Sequence, residues 1–263
     1  MKRFVCSGLV ALWAVLLAIP ASAILRPEDA TCRRGLMLAE RRLTFHLVRQ
    51  MGQCHLQRAR GRLRSDVDCN DPANVPYPRT IERVARSVAQ LAKSQCRQAG
   101  TPASLGFTTC PAPCGSATPL TSYARDVAPC IVCQSRSEAS GIMAAILPEP
   151  PVTGPHTRET DCVEAVTTGV RKHVSKVLEN LRYCQYLRDR GRLPATPSCR
   201  DDDVLGHVAR SRSALQYYLA RCKNGSRARV LACGTGDVQS GAACIEAAVD
   251  TGVEGLFDTV YPR

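Results

Sequence analysis

Cys130-Ile131-Val132-Cys133 is the segment whose residue types point most directly to chemistry. Two cysteines separated by two residues can exchange a dithiol for a disulfide, and a thiol at a helix start ionises more readily. Pro129, just before Cys130, suits a helix start. A redox site of this kind sits in a strand–helix–strand setting, and no such pattern flanks the motif. Gln134 stands where covalent haem attachment needs a histidine. Cys110 and Cys114, taken with Cys130 and Cys133, would offer four thiolates to a zinc ion. In an oxidising compartment the same four are expected to form disulfides instead.

The other reactive residue types are scattered. His46, His55, His156, His173 and His207 make no i, i+4 pair and no H-E-x-x-H pattern, and there is no G-x-S-x-G or phosphate-cradling glycine loop. Asp201-Asp202-Asp203 lacks the spaced oxygen ladder of a calcium loop and reads better as a cap on the following helix. Asn224-Gly225-Ser226 is a glycosylation sequon, meaningful in a host that uses it. No catalytic residue, metal site or cofactor is assigned from these patterns.

Arginine is the clearest binding signal. The chain carries a net charge of +12, and a basic balance favours anionic partners. Arg33, Arg34, Arg41, Arg42 and Arg49 fall on one helical segment, where Arg34, Arg41 and Arg42 cluster. Arg58, Arg60, Arg62 and Arg64 follow it, and Arg188, Arg190 and Arg192 repeat the pattern later. The candidate anion-binding set is Arg34, Arg41, Arg42, Arg58, Arg60, Arg62, Arg188, Arg190 and Arg192. The only tryptophan, Trp13, lies in the leader described below, and aromatics are few. That counts against base-stacking and sugar-stacking grooves.

These residues are framed by an internal duplication. Cys32, Cys54 and Cys69 recur as Cys162, Cys184 and Cys199 with identical spacing. Arg58-Ala59-Arg60-Gly61-Arg62-Leu63 recurs as Arg188-Asp189-Arg190-Gly191-Arg192-Leu193. Cys96, Cys110 and Cys130 correspond to Cys222, Cys233 and Cys244, while Cys114 and Cys133 occur only in the first copy. The expected division is a repeat over 24–148, a proline-rich linker over 149–160 and a second repeat over 161–263.

Cys32, Leu36, Ala39, Leu43, Leu47, Met51 and Cys54 step by three or four, as do Cys162, Val166, Val170, Val174, Val177, Leu181 and Cys184. Each set predicts an amphipathic helix, with Asp161 as N-cap of the second. Such a helix holds its end cysteines about 33 Å apart, far beyond the ~7 Å a disulfide allows. A second helix is expected near Arg79–Cys96 and near Asp203–Cys222, and a shorter third near Asp126–Leu147 and Val238–Val260. Antiparallel hairpins would then pair Cys32 with Cys96, Cys54 with Cys69, Cys162 with Cys222 and Cys184 with Cys199. Cys110–Cys130, Cys114–Cys133 and Cys233–Cys244 complete the set. The expected fold class is mainly α: two tandem disulfide-stapled helical-hairpin repeats, each with a shorter third helix.

The first 23 residues read as a signal peptide: Lys2 and Arg3, an apolar run from Phe4, then Ala21-Ser22-Ala23. Its removal takes Cys6 and leaves an even number of cysteines, consistent with a secreted or periplasmic protein.

Two segments, Leu105-Gly106-Phe107-Thr108-Thr109-Cys110 and Asp126-Val127-Ala128-Pro129-Cys130-Ile131-Val132-Cys133, resemble a loose group of exported, cysteine-rich helical bacterial proteins of uncharacterised function. The resemblance implies export, helices and disulfides, and supplies no activity. The expected function is a non-enzymatic binding or surface-interaction protein for an acidic polymer or acidic protein surface. The alternatives are a thiol–disulfide or metal-binding protein using Cys130 and Cys133, and an envelope structural protein.

Overall fold

The computed structural model describes residues 24–115, 118–147, 157–194, 198–232 and 237–261. The expected leader, most of the linker and Cys233 lie outside the described residues. Among the described residues the regular structure is helical throughout. The helices are α1 (Pro27–Ala59), α2 (Pro78–Gln95), α3 (Ala128–Ile146), α4 (Thr157–Asp189), α5 (His207–Ala220), α6 (Asn224–Val230) and α7 (Val238–Val260). A turn of π-helix, Tyr123–Val127, leads into α3.

Helix α1 runs beyond both cysteines that frame it. Pro27, which has no N–H to leave unpaired, suits the first turn, and Glu28 and Asp29 there and Arg58 in the last turn are favourable to the helix dipole. Arg58 therefore belongs to the helix and not to the loop after it. Its guanidinium is buried, donating to the carbonyl of Val67 (2.6 Å) and to His55 Nδ1 (3.0 Å). Helix α4 likewise begins at Thr157, so residues 157–160 are helical rather than linker, and Asp161 sits inside the helix rather than capping it. Helix α5 begins at His207, later than Asp203. The Asp203 carboxylate accepts from the backbone N–H groups of Val208 (3.1 Å) and Ala209 (2.9 Å), so it does cap the helix, from outside.

Disulfides close both hairpins. Cys32–Cys96 and Cys54–Cys69 hold α1 to α2 and to the loop between them, and Cys162–Cys222 and Cys184–Cys199 do the same for α4 and α5. Chain-entropy arguments give about 4 kcal/mol for a loop as long as Cys32–Cys96 and about 3 kcal/mol for one as short as Cys54–Cys69. The double variant Cys32→Ser/Cys96→Ser is therefore expected to lose more stability in urea than Cys54→Ser/Cys69→Ser. The reverse order would mean that the reduced chain keeps the hairpin partly formed.

The two hairpins pack directly on each other. Helices α1 and α4 run antiparallel along their length, about 50 Å at 1.5 Å per residue. At one end Arg60 meets Glu164 (3.2 Å); at the other Arg33 meets Asp189 (3.6 Å). Helix α3 runs alongside α1 in the same direction. Tyr123, before its start, donates to the carbonyl of Gly100 beside the start of α1, and Asn70, next to Cys69, donates to the carbonyl of Leu147 at its end. Helix α7 covers α3, where Gly252 lets Ile142 approach: a Cβ there would lie 2.5 Å from its Cγ1. Helix α1 is thus central, buried toward α3 as well as toward α4, rather than amphipathic with one covered face. Leu36, Leu43, Leu47 and Met51 on one side and Met37 and Val48 on others are all fully buried.

Candidate functional site

Cys130 and Cys133 do not form a dithiol pair. Cys130 is bonded to Cys110 and Cys133 to Cys114, each with Cα atoms 5.7 Å apart. The two bridges fasten the Cys110–Cys114 loop across the first turn of α3, where Gln134 also donates to the carbonyl of Pro111 (2.5 Å). The four thiols considered for zinc are therefore all in disulfides, and no group of three or more metal-ligating side chains occurs among the described residues. Cys244 is also disulfide-bonded.

The histidines serve different ends. His55 Nδ1 accepts from Arg58, so its proton sits on Nε2 and is donated to Asn70 Oδ1 (2.8 Å). Burial pushes its pKa down to about 4. Ser211 donates its hydroxyl proton to the carbonyl of Val208, so the contact between Ser211 Oγ and His173 Nδ1 (2.9 Å) is a bond that His173 donates. Burial lowers His173 to about 4 as well. His207 Nδ1 lies 3.7 Å from Glu179. His156 lies outside the described residues. The sequon Asn224-Gly225-Ser226 opens α6, with Ser226 buried.

The arginines singled out from sequence divide sharply. Arg34 stacks on Tyr186 (4.6 Å), and Arg41 reaches Glu179 (3.5 Å) and donates to Ser175 Oγ (3.4 Å), so both are engaged in the α1–α4 seam. Arg58 is buried, and Arg60 pairs with Glu164. Arg188 and Arg190 are half-buried near the end of α4 and just beyond it. Arg42, Arg62 and Arg192 are exposed and make no ion pair with a described residue. The set does not form one surface.

A different group does. Arg42, His46 and Arg49 lie at i, i+4 and i+7 on α1, and the antiparallel seam brings Arg171 of α4 against Phe45 and close to Arg49, with Lys172 next to Arg171 in sequence. Arg171 lies over the ring of Phe45 (5.5 Å), and Lys172 lies over Tyr218 (4.9 Å) and donates to its hydroxyl. No described carboxylate pairs with any of these five residues. Burial and the neighbouring Arg49 charge both push the Arg171 pKa down, and the same two causes lower His46. The buried Nε of Arg171 and Nδ1 of His46 have no hydrogen-bond partner. Cations crowded together without a counter-charge repel one another, so the group is poised for an anion. The sequence flagged Arg49 among dispersed arginines and did not flag Arg171, because only the antiparallel seam brings them together.

A second feature is internal. Glu40 and Thr44 of α1 and Ser135 of α3 are fully buried, with no partner for either Glu40 carboxyl oxygen or for the two hydroxyls. Glu138, half-buried one turn beyond Ser135, bears on Glu40 electrostatically. The cysteine registers Cys32/Cys162 and Cys130/Cys244 place Val170, Val174, Val249 and Gly252 at the matching positions, of which the three valines are fully buried. One half of the molecule thus has a polar cluster where the other has an apolar core.

Neither a known protein family, a characterised protein nor a solved structure matches the chain. No helix among the described residues is long and apolar enough to cross a membrane.

Proposed function

We propose that this chain is an exported, non-enzymatic binding protein whose partner is anionic. The observation that carries the reading is the cationic group Arg42, His46, Arg49, Arg171 and Lys172, which has access to solvent and no carboxylate partner. The even cysteine count expected after leader removal and the bonded bridges support export. The bridges also support a rigid recognition surface, because ordering entropy is removed before binding. Cys130 and Cys133, each bonded to a different loop cysteine, act in this reading as scaffold.

A basic chain will cling weakly to any polyanion, so the test must separate location from net charge. Poly-L-glutamate and heparin are titrated into the folded protein at near-physiological salt, where exposed charges are screened within about 8 Å. The triple variant Arg42→Gln/Arg49→Gln/Lys172→Gln removes three charges from the group. Arg62→Gln/Arg97→Gln/Arg192→Gln removes three exposed charges elsewhere. Exposed ion pairs contribute about 0.2–1 kcal/mol each, so the first variant is expected to bind about tenfold more weakly and the second nearly as well as the parent. Equal losses would reduce the reading to non-specific charge.

A further inference from the structure

We infer that the seam between Arg49 and Arg171 is a docking site for a carboxylate side chain supplied by an acidic segment of a partner protein. The inference rests on the anionic-partner reading and narrows it to one chemistry at one place.

The chain contains its own comparison site. The register that matches Cys32 to Cys162 and Cys54 to Cys184 matches Arg41 to Arg171, Phe45 to Ser175 and Arg49 to Glu179. Contacts across the seam exchange under that register. Arg41 of α1 reaches Ser175 of α4, and Arg171 of α4 lies over Phe45 of α1. The seam is therefore a pair of related sites around an approximate two-fold axis near Phe45 and Ser175, the arrangement expected when a self-complementary helix pair is built from two copies of one sequence.

At the first site a carboxylate completes the arrangement. Glu179 Oε2 lies 3.5 Å from Arg41 Nη2, 2.8 Å from Lys176 Nζ and 3.7 Å from His207 Nδ1. Burial raises the Glu179 pKa, but the Lys176 hydrogen bond and the Arg41 charge outweigh it and hold the carboxyl below its ordinary value. At the second site the helices and the arginine are the same, His46 stands for Lys176, and the position of Glu179 is taken by Arg49. A carboxylate has been replaced by a cation, so the charge is inverted where the scaffold is already shaped around a carboxylate.

The details at the second site fit an incoming carboxylate. The Arg171 guanidinium lies over the Phe45 ring, and the planar N–H groups of a guanidinium match a carboxylate with two parallel bonds. Arg171 Nε is buried without a partner, as Arg41 Nε is at the first site, so an incoming carboxylate meets the outer Nη groups of Arg171. Phe45 and Tyr218 border the site and offer apolar contact to the methylenes of a glutamate, which a sulfated polymer lacks.

The decisive variant is Arg49→Glu, which gives the second site the internal carboxylate the first already has. Binding of a short poly-L-glutamate peptide is measured by titration calorimetry for the parent, Arg49→Glu and the charge-matched control Arg62→Glu, with heparin as a sulfate probe and circular dichroism reporting the fold. The expected result is that Arg49→Glu melts no lower than the parent yet binds poly-L-glutamate at least tenfold more weakly, while Arg62→Glu stays within about twofold. Should Arg49→Glu misfold, Arg49→Gln replaces it, with a loss of at least threefold expected. Equal affinity of Arg49→Glu and Arg62→Glu overturns the site and leaves the anionic-partner reading standing. A loss seen for heparin alone overturns the carboxylate chemistry only. Failure of the parent to bind either probe overturns both.

Discussion

The Glu40→Gln protein is expected to be more stable than the parent at pH 8 and to converge with it near pH 4. Glu40 is fully buried on α1 with no hydrogen-bond partner for either carboxyl oxygen. Burial first, and the Glu138 carboxyl from α3 second, push its pKa well above the ordinary value of 4.5. The Tyr261 hydroxyl, just past the end of α7, also feels it. The folded chain therefore holds a proton that the unfolded chain releases above pH 4.5. In that window the unfolded state binds fewer protons, so stability is full at low pH and declines as pH rises toward the folded pKa. The loss is about 1.4 kcal/mol per pH unit. Glutamine keeps the shape without the titration. Urea unfolding from pH 4 to 8 should show the two curves diverging upward from about pH 4.5; parallel curves would show that Glu40 is not held protonated. The double variant Glu40→Val/Thr44→Val, which copies Val170 and Val174 of the other half, is expected to be more stable still.

The histidines act in the opposite direction, with a comparably large effect. His55 and His173 are held neutral in the fold with pKa values of about 4 against the ordinary 6.5. Here the unfolded chain binds the extra protons, so stability is full above pH 6.5 and is lost as pH falls toward 4. Each histidine contributes about 3 kcal/mol of that fall at about 1.4 kcal/mol per pH unit. Between pH 4.5 and 6.5 two histidines outweigh one glutamate, which places the stability maximum of these groups near pH 6.5. His173 matches Leu43 in the cysteine register, and Ser211 keeps its bond to Val208 without it. His173→Leu should therefore remove about half of the acid-side loss. An unchanged acid limb would place the sensitivity elsewhere.

Local patterns carried much of the fold. The apolar steps from Cys32 to Cys54 and the run Val238–Val260 mark α1 and α7, the latter with the boundaries the structure shows. Helix length forbids a Cys32–Cys54 bridge, and the antiparallel hairpins place Cys32 beside Cys96 and Cys162 beside Cys222. Contacts between distant segments were not legible. Glu40 and Thr44 lie off the apolar stripe of α1, and no local pattern shows that α3 covers that side. Arg41 and Arg34 looked like binding residues until Glu179 and Tyr186 were brought against them. Comparing positions through the cysteine register would have exposed the second site, since Arg49 falls at the position of Glu179 and Glu40 at that of Val170.

The most direct measurement is made on the arginine side chains themselves. Nitrogen-15 spectra of the Nε–H groups are recorded while a short poly-L-glutamate peptide is added at near-physiological salt, with Arg171 and Arg41 assigned through Arg171→Lys and Arg41→Lys. The Arg171 signal is expected to shift as the carboxylate binds, while that of Arg41, already facing Glu179, stays in place. A shift of Arg41 with Arg171 unmoved, or an equal drift of all arginine signals, would contradict it.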